Sequence, residues 1–174
     1  MYRNLSDKIN RLNEVGTLRF LSSAFPGEVV FSSSFSWEDQ AITHMILSNK
    51  IPVEIFTLDT GRMFSETYYV WNRTNEIYGT RIKPYYPQNA PLENYVAKNG
   101  PNAFYESAEL RKECCFIRKV EPLNRALKGK KIWITGLRAE HSVERENLAQ
   151  LEWDQSHQLY KYHPLLHWST EQVK

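Results

Sequence analysis

Cysteine is scarce in this sequence of 174 residues: it occurs twice, at the adjacent positions Cys114 and Cys115. Adjacent cysteines cannot link distant parts of a fold, and their geometry is poor for an ordinary disulfide. The sequence therefore lacks the disulfide framework of a small secreted protein. The pair fits a reducing compartment and raises the hypothesis of metal ligation.

Long apolar segments are also missing. No run approaches the roughly 18 apolar residues that a membrane-spanning helix needs. Residues 1–5 lack the apolar core of a secretory signal. We therefore expect a cytoplasmic protein without a membrane partner. A net charge of +2 argues against a dedicated nucleic-acid-binding protein, although a local basic patch is not excluded.

What the sequence does contain is enough apolar material for one folded domain. Hydrophobic residues make up 41% of the chain, which is an ordinary content for a globular protein. At this length we expect residues 1–174 to form a single domain with a buried core. Neither repeats nor low-complexity segments interrupt the sequence.

Short β-rich runs alternate with segments of helical periodicity along most of the chain. Such alternation predicts βαβ units, and hence an α/β fold with a mostly parallel sheet and helices on both faces. The predicted helices are 5–20, 38–47, 65–78 (with Ser65 as N-cap and Gly79 as the stop) and 114–127, with loop or a short helix at 89–100. The predicted strands are 28–32, 53–58, 81–86 and 130–135, with short strands at 151–153 and 159–162.

Three polar loops follow predicted strands, after Phe31, Leu58 and Thr135. In parallel α/β sheets, ligands bind beyond the carboxyl ends of the strands. Because all three loops lie at such ends, we expect them to meet at one edge of the sheet. The pattern of strands and loops therefore predicts a ligand site at that edge.

The first of these loops begins with Ser32, Ser33 and Ser34 and leads into a helix. Small residues at the start of a helix leave backbone N–H groups that can point at an anion, and the helix dipole adds a favourable potential. Phosphate binding is one hypothesis. The alternative is a serine-rich turn with an N-cap, which is common in proteins.

The other two loops contain Asp59-Thr60-Gly61 and Gly136-Leu137-Arg138. An acid and a hydroxyl at the end of a strand could contact a ribose or a base, and an arginine could grip a phosphate or sulfate. Taken alone, an Asp-stabilised turn and a surface arginine explain the same residues.

The segment around the cysteines combines two thiols with four nearby cations, Arg111, Lys112, Arg118 and Lys119. Cations lower the pKa of a thiol and attract anions. Thiolates suit iron–sulfur or zinc chemistry, but the common clusters take four cysteine ligands and this chain supplies two. The alternative is a pair of cysteines on a helix with a solvated basic face.

Taken together, these motifs resemble the adenylyl-sulfate and phosphoadenylyl-sulfate reductases of sulfate assimilation. The resemblance runs from about Leu12 to the end, and the segment around the cysteines is its most specific part. It rests on four strings that occur in this order: Ser32-Ser33-Ser34-Phe35, Thr57-Leu58-Asp59-Thr60-Gly61, Cys114-Cys115-Phe116-Ile117-Arg118-Lys119-Val120-Glu121-Pro122-Leu123 and Gly136-Leu137-Arg138.

The resemblance implies an adenine-nucleotide-binding, three-layer domain of the PP-loop type and a set of substrate contacts. The serine loop is similar to the modified pyrophosphate loop that holds the phosphosulfate, and the turn after the second strand to the segment that lines the adenosine pocket. One lysine matches a lysine near substrate and cluster, and one arginine matches an arginine that holds the anionic end of the substrate. The implied residues are Ser32, Ser33, Ser34 and Phe35, then Leu58, Asp59, Thr60 and Gly61, then Lys119 and Arg138.

The resemblance also implies a cofactor and a reaction. Cys114 and Cys115 match half of the ligand set of a 4Fe–4S cluster, and the cluster-bearing branch of the family generally uses adenylyl sulfate. In the family, a cysteine near the C-terminus attacks the sulfur, AMP leaves, and thioredoxin or glutaredoxin releases sulfite.

This sequence departs from the family pattern in two ways. No counterpart of the nucleophilic cysteine or of the second cysteine pair is present, so we expect a form that lacks the family's C-terminal segment and does not reduce adenylyl sulfate. Ser36 stands where a glycine usually follows the loop. Two alternatives stay open: another PP-loop enzyme, such as an ATP pyrophosphatase, and a non-catalytic module that binds nucleotide or RNA. The sequence does not determine the oligomeric state, and a homo-oligomer is one of the alternatives.

Overall fold

A six-stranded sheet lies at the centre of the molecule in the computed structural model, which describes residues 2–141 and 148–173. Within these residues, every helix is too short or too polar to cross a membrane. The helices are α1 Tyr2–Ile9, α2 Glu14–Ala24, α3 Trp37–Ser48, α4 Ser65–Tyr78, α5 Asn89–Asn99, α6 Ala108–Cys115, α7 Glu121–Leu127 and α8 Thr170–Val173, with a π-helical turn Phe116–Val120 and 3₁₀ turns Ala103–Tyr105 and Ala139–His141. The strands are β1 Val29–Ser32, β2 Glu54–Leu58, β3 Lys83–Tyr85, β4 Ile132–Ile134, β5 Leu151–Asp154 and β6 Leu159–Tyr162.

The order of the strands across the sheet is β3-β2-β1-β4-β6-β5. Strand β1 pairs in parallel with both β2 and β4, and β2–β3 and β4–β6 are also parallel. Only the β5–β6 pair within the described residues is antiparallel, as expected for a hairpin at the edge of such a sheet. The predicted mostly parallel α/β sheet is therefore confirmed.

Alternate residues of the central strands point into two separate apolar layers. Val29 and Phe31 face the larger layer, which contains side chains of α1, α2, α3 and α4. Val30 faces the smaller layer together with Phe56 and the apolar side of α7. Helices therefore cover both faces of the sheet, and the three-layer arrangement follows from strands that are apolar on both sides.

Two predictions for the first half of the chain were wrong in detail. The single helix expected over 5–20 is two helices, because the side chain of Asn13 accepts a hydrogen bond from the Gly16 N–H and caps α2. Helix α4 begins at Ser65, but its N-cap position is Phe64, with no side-chain hydrogen bond. Its predicted end is confirmed, since Gly79 adopts a left-handed conformation there.

The cysteine-containing helix begins earlier than predicted. Ser107 caps α6 through a hydrogen bond from the Leu110 N–H, so the helical segment starts at Ala108 rather than at Cys114. The π-helical turn Phe116–Val120 then separates α6 from α7. Pro122 falls in the first turn of α7, directly after the π-helical turn.

Candidate functional site

A cleft of about 660 Å³ opens at the carboxyl ends of β1, β2 and β4. Strand β1 lies between β2 and β4, so the chain leaves β1 towards one neighbour and returns to the other. The space between these connections, beyond the carboxyl ends of the strands, is the usual ligand position in such folds. Its lining includes six of the sequence-predicted residues: Ser32, Ser33, Ser34, Leu58, Thr60 and Lys119. It also includes Ser36, Glu38, Asp39, Thr57, Arg62, Met63, Phe64, Thr67, Thr135, Gly136 and Leu137.

The serine loop is organised around the buried carboxylate of Asp39. Both the backbone N–H and the hydroxyl of Ser34 donate to Asp39 Oδ2, at 2.6 Å each. The hydroxyl of Ser36 in turn accepts from the Asp39 N–H at 3.3 Å and caps α3. Two of the donors that the sequence predicted for a bound anion are therefore used within the loop itself.

The residue of the loop with an unusual backbone conformation is Phe35. The family resemblance places a glycine, and hence the unusual conformation, at position 36 instead. Phe35 has φ 63°, a left-handed conformation that is uncommon for a bulky residue. Its ring is buried and stacks on Trp71 of α4 with centroids 5.7 Å apart. Ser36 has φ −65° and needs no glycine. The Phe35 ring therefore fixes the loop against α4, and Phe35 does not line the cleft.

The pKa values of two neighbouring carboxylates on α3 are shifted in opposite directions. Burial raises the pKa of Asp39 above its usual range, despite the hydrogen bonds from Ser34. Burial also acts upward on the pKa of Glu38, but hydrogen bonds from its own backbone and from Arg138 outweigh it and lower that pKa. We call Glu38 and Asp39, with the loop bound to Asp39, the acidic side of the cleft.

Arg138 holds Glu38 in place and is itself buried, with 4% of its side chain exposed. Its Nε atom donates to Glu38 Oε1 at 2.9 Å, and Nη1 donates to Glu140 Oε2 at 2.7 Å. It also donates to the Trp168 carbonyl and to the Thr170 hydroxyl. Arg138 thus lies behind the cleft lining rather than in it, and direct contact with a substrate anion stays a prediction.

The turn after β2 is held by Asp59. Its carboxylate accepts hydrogen bonds from the Gly61 N–H at 2.8 Å and from the Tyr68 hydroxyl at 2.9 Å and 3.0 Å. Asp59 is buried and, like Gly61, does not line the cleft, whereas Leu58 and Thr60 do. Asp59 therefore shapes the turn, and its neighbours provide the cleft surface.

Two cations of the cleft lining come from segments other than α3. Lys119 lies in the π-helical turn and is exposed, and Arg62 follows the β2 turn. Arg62 donates to the Pro101 carbonyl and the Asn102 side chain, and no carboxylate among the described residues forms an ion pair with it or with Lys119. We call Arg62 and Lys119 the basic side of the cleft, because its charge is available to an anionic ligand.

The end of β4 contributes a close backbone approach. A Cβ atom added at Gly136 would lie less than 3.0 Å from Asp39 Oδ1, a separation that real side chains avoid. Next to it, the Thr135 hydroxyl is 2.7 Å from Nδ1 of the fully buried His163. Glycine at position 136 therefore allows β4 and α3 to meet at the cleft.

The two cysteines differ in their surroundings. Cys114 is buried against Tyr95 and Ala103, whereas Cys115 is exposed, and both are free thiols. In the described part of the chain, no group of three or more His, Cys, Asp or Glu side chains is arranged to hold a metal ion. Because a 4Fe–4S cluster of the common type takes four thiolates, these two do not fit one on their own.

The sequence did not predict several residues of the cleft as site residues. For two of them, however, the sequence contains a feature that could have indicated a place in the cleft. Asp39 stands in the first turn of α3, where a carboxylate can accept loop N–H groups. Gly136 comes two residues after the end of β4, and a glycine without a Cβ atom permits close backbone approach there. Met63, Phe64 and Thr67 carry no such signal, since only the path of the chain after β2 brings them to the cleft.

Comparison with known proteins agrees with this geometry. Residues 28–174 match the family model described as the phosphoadenosine phosphosulfate reductase domain. The adenosine 5'-phosphosulfate reductase of Burkholderia cepacia is 49% identical over 146 residues, which are 84% of this chain and 58% of that relative. The protein of the same name from Sinorhizobium fredii (strain USDA 257) is 43% identical over 170 residues, 98% of this chain and 67% of that relative.

Solved structures show the same fold. The phosphoadenylyl-sulfate reductase from Candida auris, in its phosphate complex, superposes with a TM-score of 0.81 at 27% identity, covering 98% of this chain and 81% of that one. The FMN adenylyltransferase of Candida glabrata, in complex with ATP, gives 0.57 at 14% identity, covering 98% and 59%, which shows the fold alone.

The fold and the position of the cleft define an α/β domain of the PP-loop type. More narrowly, the chain belongs to the phosphoadenosine phosphosulfate reductase family, since that family model matches most of its length. It spans 58% of the Burkholderia cepacia relative and 67% of the Sinorhizobium fredii relative.

Proposed function

We propose that the chain is the nucleotide-binding part of a cytoplasmic enzyme that reduces adenylyl sulfate to sulfite and AMP with a thiol reductant. The observation that carries the proposal is the cleft itself, which gathers Ser32, Ser33, Ser34, Thr60 and Lys119 at one sheet edge. These residues come from three separate motifs of the sequence, and the chain belongs to a family whose relatives are named for this reaction.

The charges of the cleft suit an anionic ligand on one side only. On the acidic side, Glu38 is paired with Arg138 and Asp39 is enclosed by the serine loop. On the basic side, Lys119 and Arg62 face the cleft without a carboxylate partner among the described residues. The phosphosulfate group would therefore lie towards Lys119, and the hydroxyls of Ser32 and Ser33 would meet it from the end of β1.

Adenylyl sulfate is proposed over its 3′-phosphorylated form. Both named relatives are adenosine 5'-phosphosulfate reductases. The paired cysteines point the same way through the resemblance described above. A 3′-phosphate would need a further cation, and among the described residues two cations line the cleft, Arg62 and Lys119.

Calorimetric titration of the purified chain with adenylyl sulfate, AMP and adenosine 3′,5′-bisphosphate tests the proposal. We expect binding of the first two, with adenylyl sulfate the tighter and the bisphosphate the weakest. Lys119→Ala should weaken adenylyl sulfate binding by about 1.5–3 kcal/mol, the usual value of a charge-assisted hydrogen bond. Tighter binding of the bisphosphate would overturn the substrate assignment.

Lys112→Ala is the matched control, because Lys112 is an exposed lysine on α6 that does not line the cleft. It should bind like the wild type. Equal losses in both lysine variants would show that net charge, and not the cleft, determines affinity. Salt-sensitive binding of RNA without nucleotide affinity would favour the non-catalytic module instead.

The two thiols are proposed as part of the ligand set of a 4Fe–4S cluster, with thioredoxin or glutaredoxin as reductant of the reaction. The remaining ligands would come from outside these 174 residues, which contain two cysteines in all. Anaerobic reconstitution of this chain should therefore give substoichiometric iron and sulfide. A full complement of both on the isolated chain would contradict this assignment.

A further inference from the structure

A hydrogen bond behind the cleft extends the site beyond the residues that line it. The indole N–H of Trp133 donates to Ser32 Oγ at 2.8 Å. An indole nitrogen is a donor only, so the serine oxygen must be the acceptor. We propose that Trp133 is a positioning residue that turns the hydroxyl proton of Ser32 towards the ligand in the cleft. The inference rests on the proposed function, which supplies that ligand.

The register of the sheet explains why these two side chains meet. Strands β1 and β4 are parallel neighbours, and Val30 is paired with Trp133. Ser32 stands two residues beyond Val30 and therefore on the same face of the sheet. A diagonal neighbour of this kind is within reach of an aromatic side chain. The contact is thus set by strand pairing, not by a flexible loop.

The indole ring is held by the β5–β6 hairpin. Lys161 Nζ lies 5.2 Å from the centroid of the Trp133 ring, and His157 approaches the ring edge-on with centroids 5.7 Å apart. Asp154 contacts both of these residues, at 2.8 Å from Lys161 Nζ and 2.7 Å from His157 Nδ1. The carboxylate thereby fixes two groups against the ring, and the direction of the indole N–H is fixed with them.

The serines of the loop differ in what their hydroxyl protons do. The Ser34 hydroxyl donates to Asp39 at 2.6 Å, so its proton is not available to a ligand. The Ser32 hydroxyl has one hydrogen bond within the described residues, and in that bond it accepts. Its proton is therefore uncommitted at the cleft surface. Phosphate, sulfate and ribose oxygens are acceptors that this proton would meet.

A double-mutant cycle tests the proposal by titration with adenylyl sulfate and with AMP. Ser32→Ala and Trp133→Phe should each weaken binding about two- to tenfold, the range of one ordinary hydrogen bond. Phenylalanine keeps an aromatic ring in the same layer but removes the N–H donor. If Trp133 acts through Ser32, the double variant should bind no more weakly than Ser32→Ala alone.

Trp153→Phe is the matched control. Trp153 lies on the β5–β6 hairpin that contacts Trp133, but its own indole N–H donates to Gln155 at the surface. It should bind like the wild type. Nitrogen-15 NMR of the indole groups supplies a second readout, with the Trp133 signal assigned by its loss in Trp133→Phe. That signal should shift in Ser32→Ala and again when ligand binds, while the Trp153 signal stays in place.

Two results would overturn the proposal while leaving the proposed function intact. Losses that add in the double variant would mean that Trp133 acts through packing alone. A Trp133 indole signal that does not move in Ser32→Ala would mean that the two side chains are not bonded. If the wild type binds neither nucleotide, the proposed function fails, and the ligand-directed role of Trp133 fails with it.

Discussion

The two sides of the cleft differ in whether their charged side chains are engaged by other groups of the protein. On the acidic side, Glu38 is buried against Arg138 and Asp39 is enclosed by the serine loop. On the basic side, Lys119 is exposed, and within the described part of the chain Arg62 donates to neutral oxygens and lies over the Phe104 ring. On the acidic side the carboxylates are engaged by groups of the protein itself, whereas the basic side leaves positive charge for a ligand.

This difference has an experimental consequence. Changes on the acidic side should appear mainly in the free energy of unfolding, because buried charges there depend on each other. Changes on the basic side should appear mainly in ligand affinity, since an exposed lysine contributes little to stability. The four predictions that follow address the acidic side, from the largest expected effect to the two smallest, at Asp39 and Glu38.

Arg138→Ala should have the largest effect on stability. The substitution leaves Glu38, whose side chain is 11% exposed, without the arginine that pairs with it. Breaking a buried ion pair in this way costs about 3–5 kcal/mol. Urea unfolding followed by circular dichroism measures the loss.

The exposed pair of Arg73 and Glu76 offers the comparison, with side chains 60% and 53% exposed. Arg73→Ala should cost less than about 1 kcal/mol. If Arg138→Ala is equally mild but abolishes nucleotide binding, Arg138 belongs functionally to the basic side. The comparison would then be wrong, and the direct substrate contact implied by the family resemblance would be right.

Gly136→Ala should have an intermediate effect. The added methyl group would meet the Asp39 carboxylate, which is buried and bonded to Ser34. Overpacking of this kind costs about 1–3 kcal/mol. The same substitution made in an Asp39→Ala background should cost less, because the clashing group is gone. An equal cost in both backgrounds would show that the strain at Gly136 has another origin.

Asp39→Asn should have a small effect and a characteristic pH dependence. The pKa of Asp39 is raised in the folded state by burial, so its ionisation destabilises the fold. That penalty is absent below the unfolded pKa of about 3.9 and complete above the folded pKa. Asparagine can still accept from Ser34 but does not ionise, so the variant should gain stability relative to the wild type as pH rises through this window.

Glu38→Gln should behave in the opposite way, because the pKa of Glu38 is lowered in the folded state. Its stabilising contribution is present above the unfolded pKa and lost as pH falls through the folded pKa. The glutamine variant should therefore lose stability relative to the wild type at neutral pH. Denaturation midpoints measured from about pH 2, below the unfolded pKa values of both groups, to about pH 7 decide both cases. Parallel curves for the two variants would contradict the assigned environments.

Much of the fold could be predicted because its determinants are local. Apolar runs such as 53–58 are bounded by turn residues, and their alternation with helices is enough to predict a parallel sheet. The meeting of the loops after β1, β2 and β4 then follows from strand direction alone. Ser33, Asp59 and Arg138 do stand at this edge, as the predicted topology requires.

The contacts of individual side chains could not be predicted in the same way. Glu38 and Arg138 are 100 positions apart, and nothing in either sequence neighbourhood indicates that they pair. The position of the Asp39 carboxylate requires a glycine at position 136, on a distant strand end. Trp133 reaches Ser32 only in the observed register of β1 and β4. These contacts depend on packing between distant segments, which periodicity does not encode.

The position of β1 between β2 and β4 has a consequence for how the molecule folds. Strand β2 follows β1 closely along the chain, but β4 must return across about a hundred residues before Ser32 and Trp133 can meet. Pairing of such distant strands is slow, because the entropy of closing a long loop is lost before the contacts form. We therefore expect the cleft to be among the last features to form, and a nascent chain that ends before β4 to have only part of it.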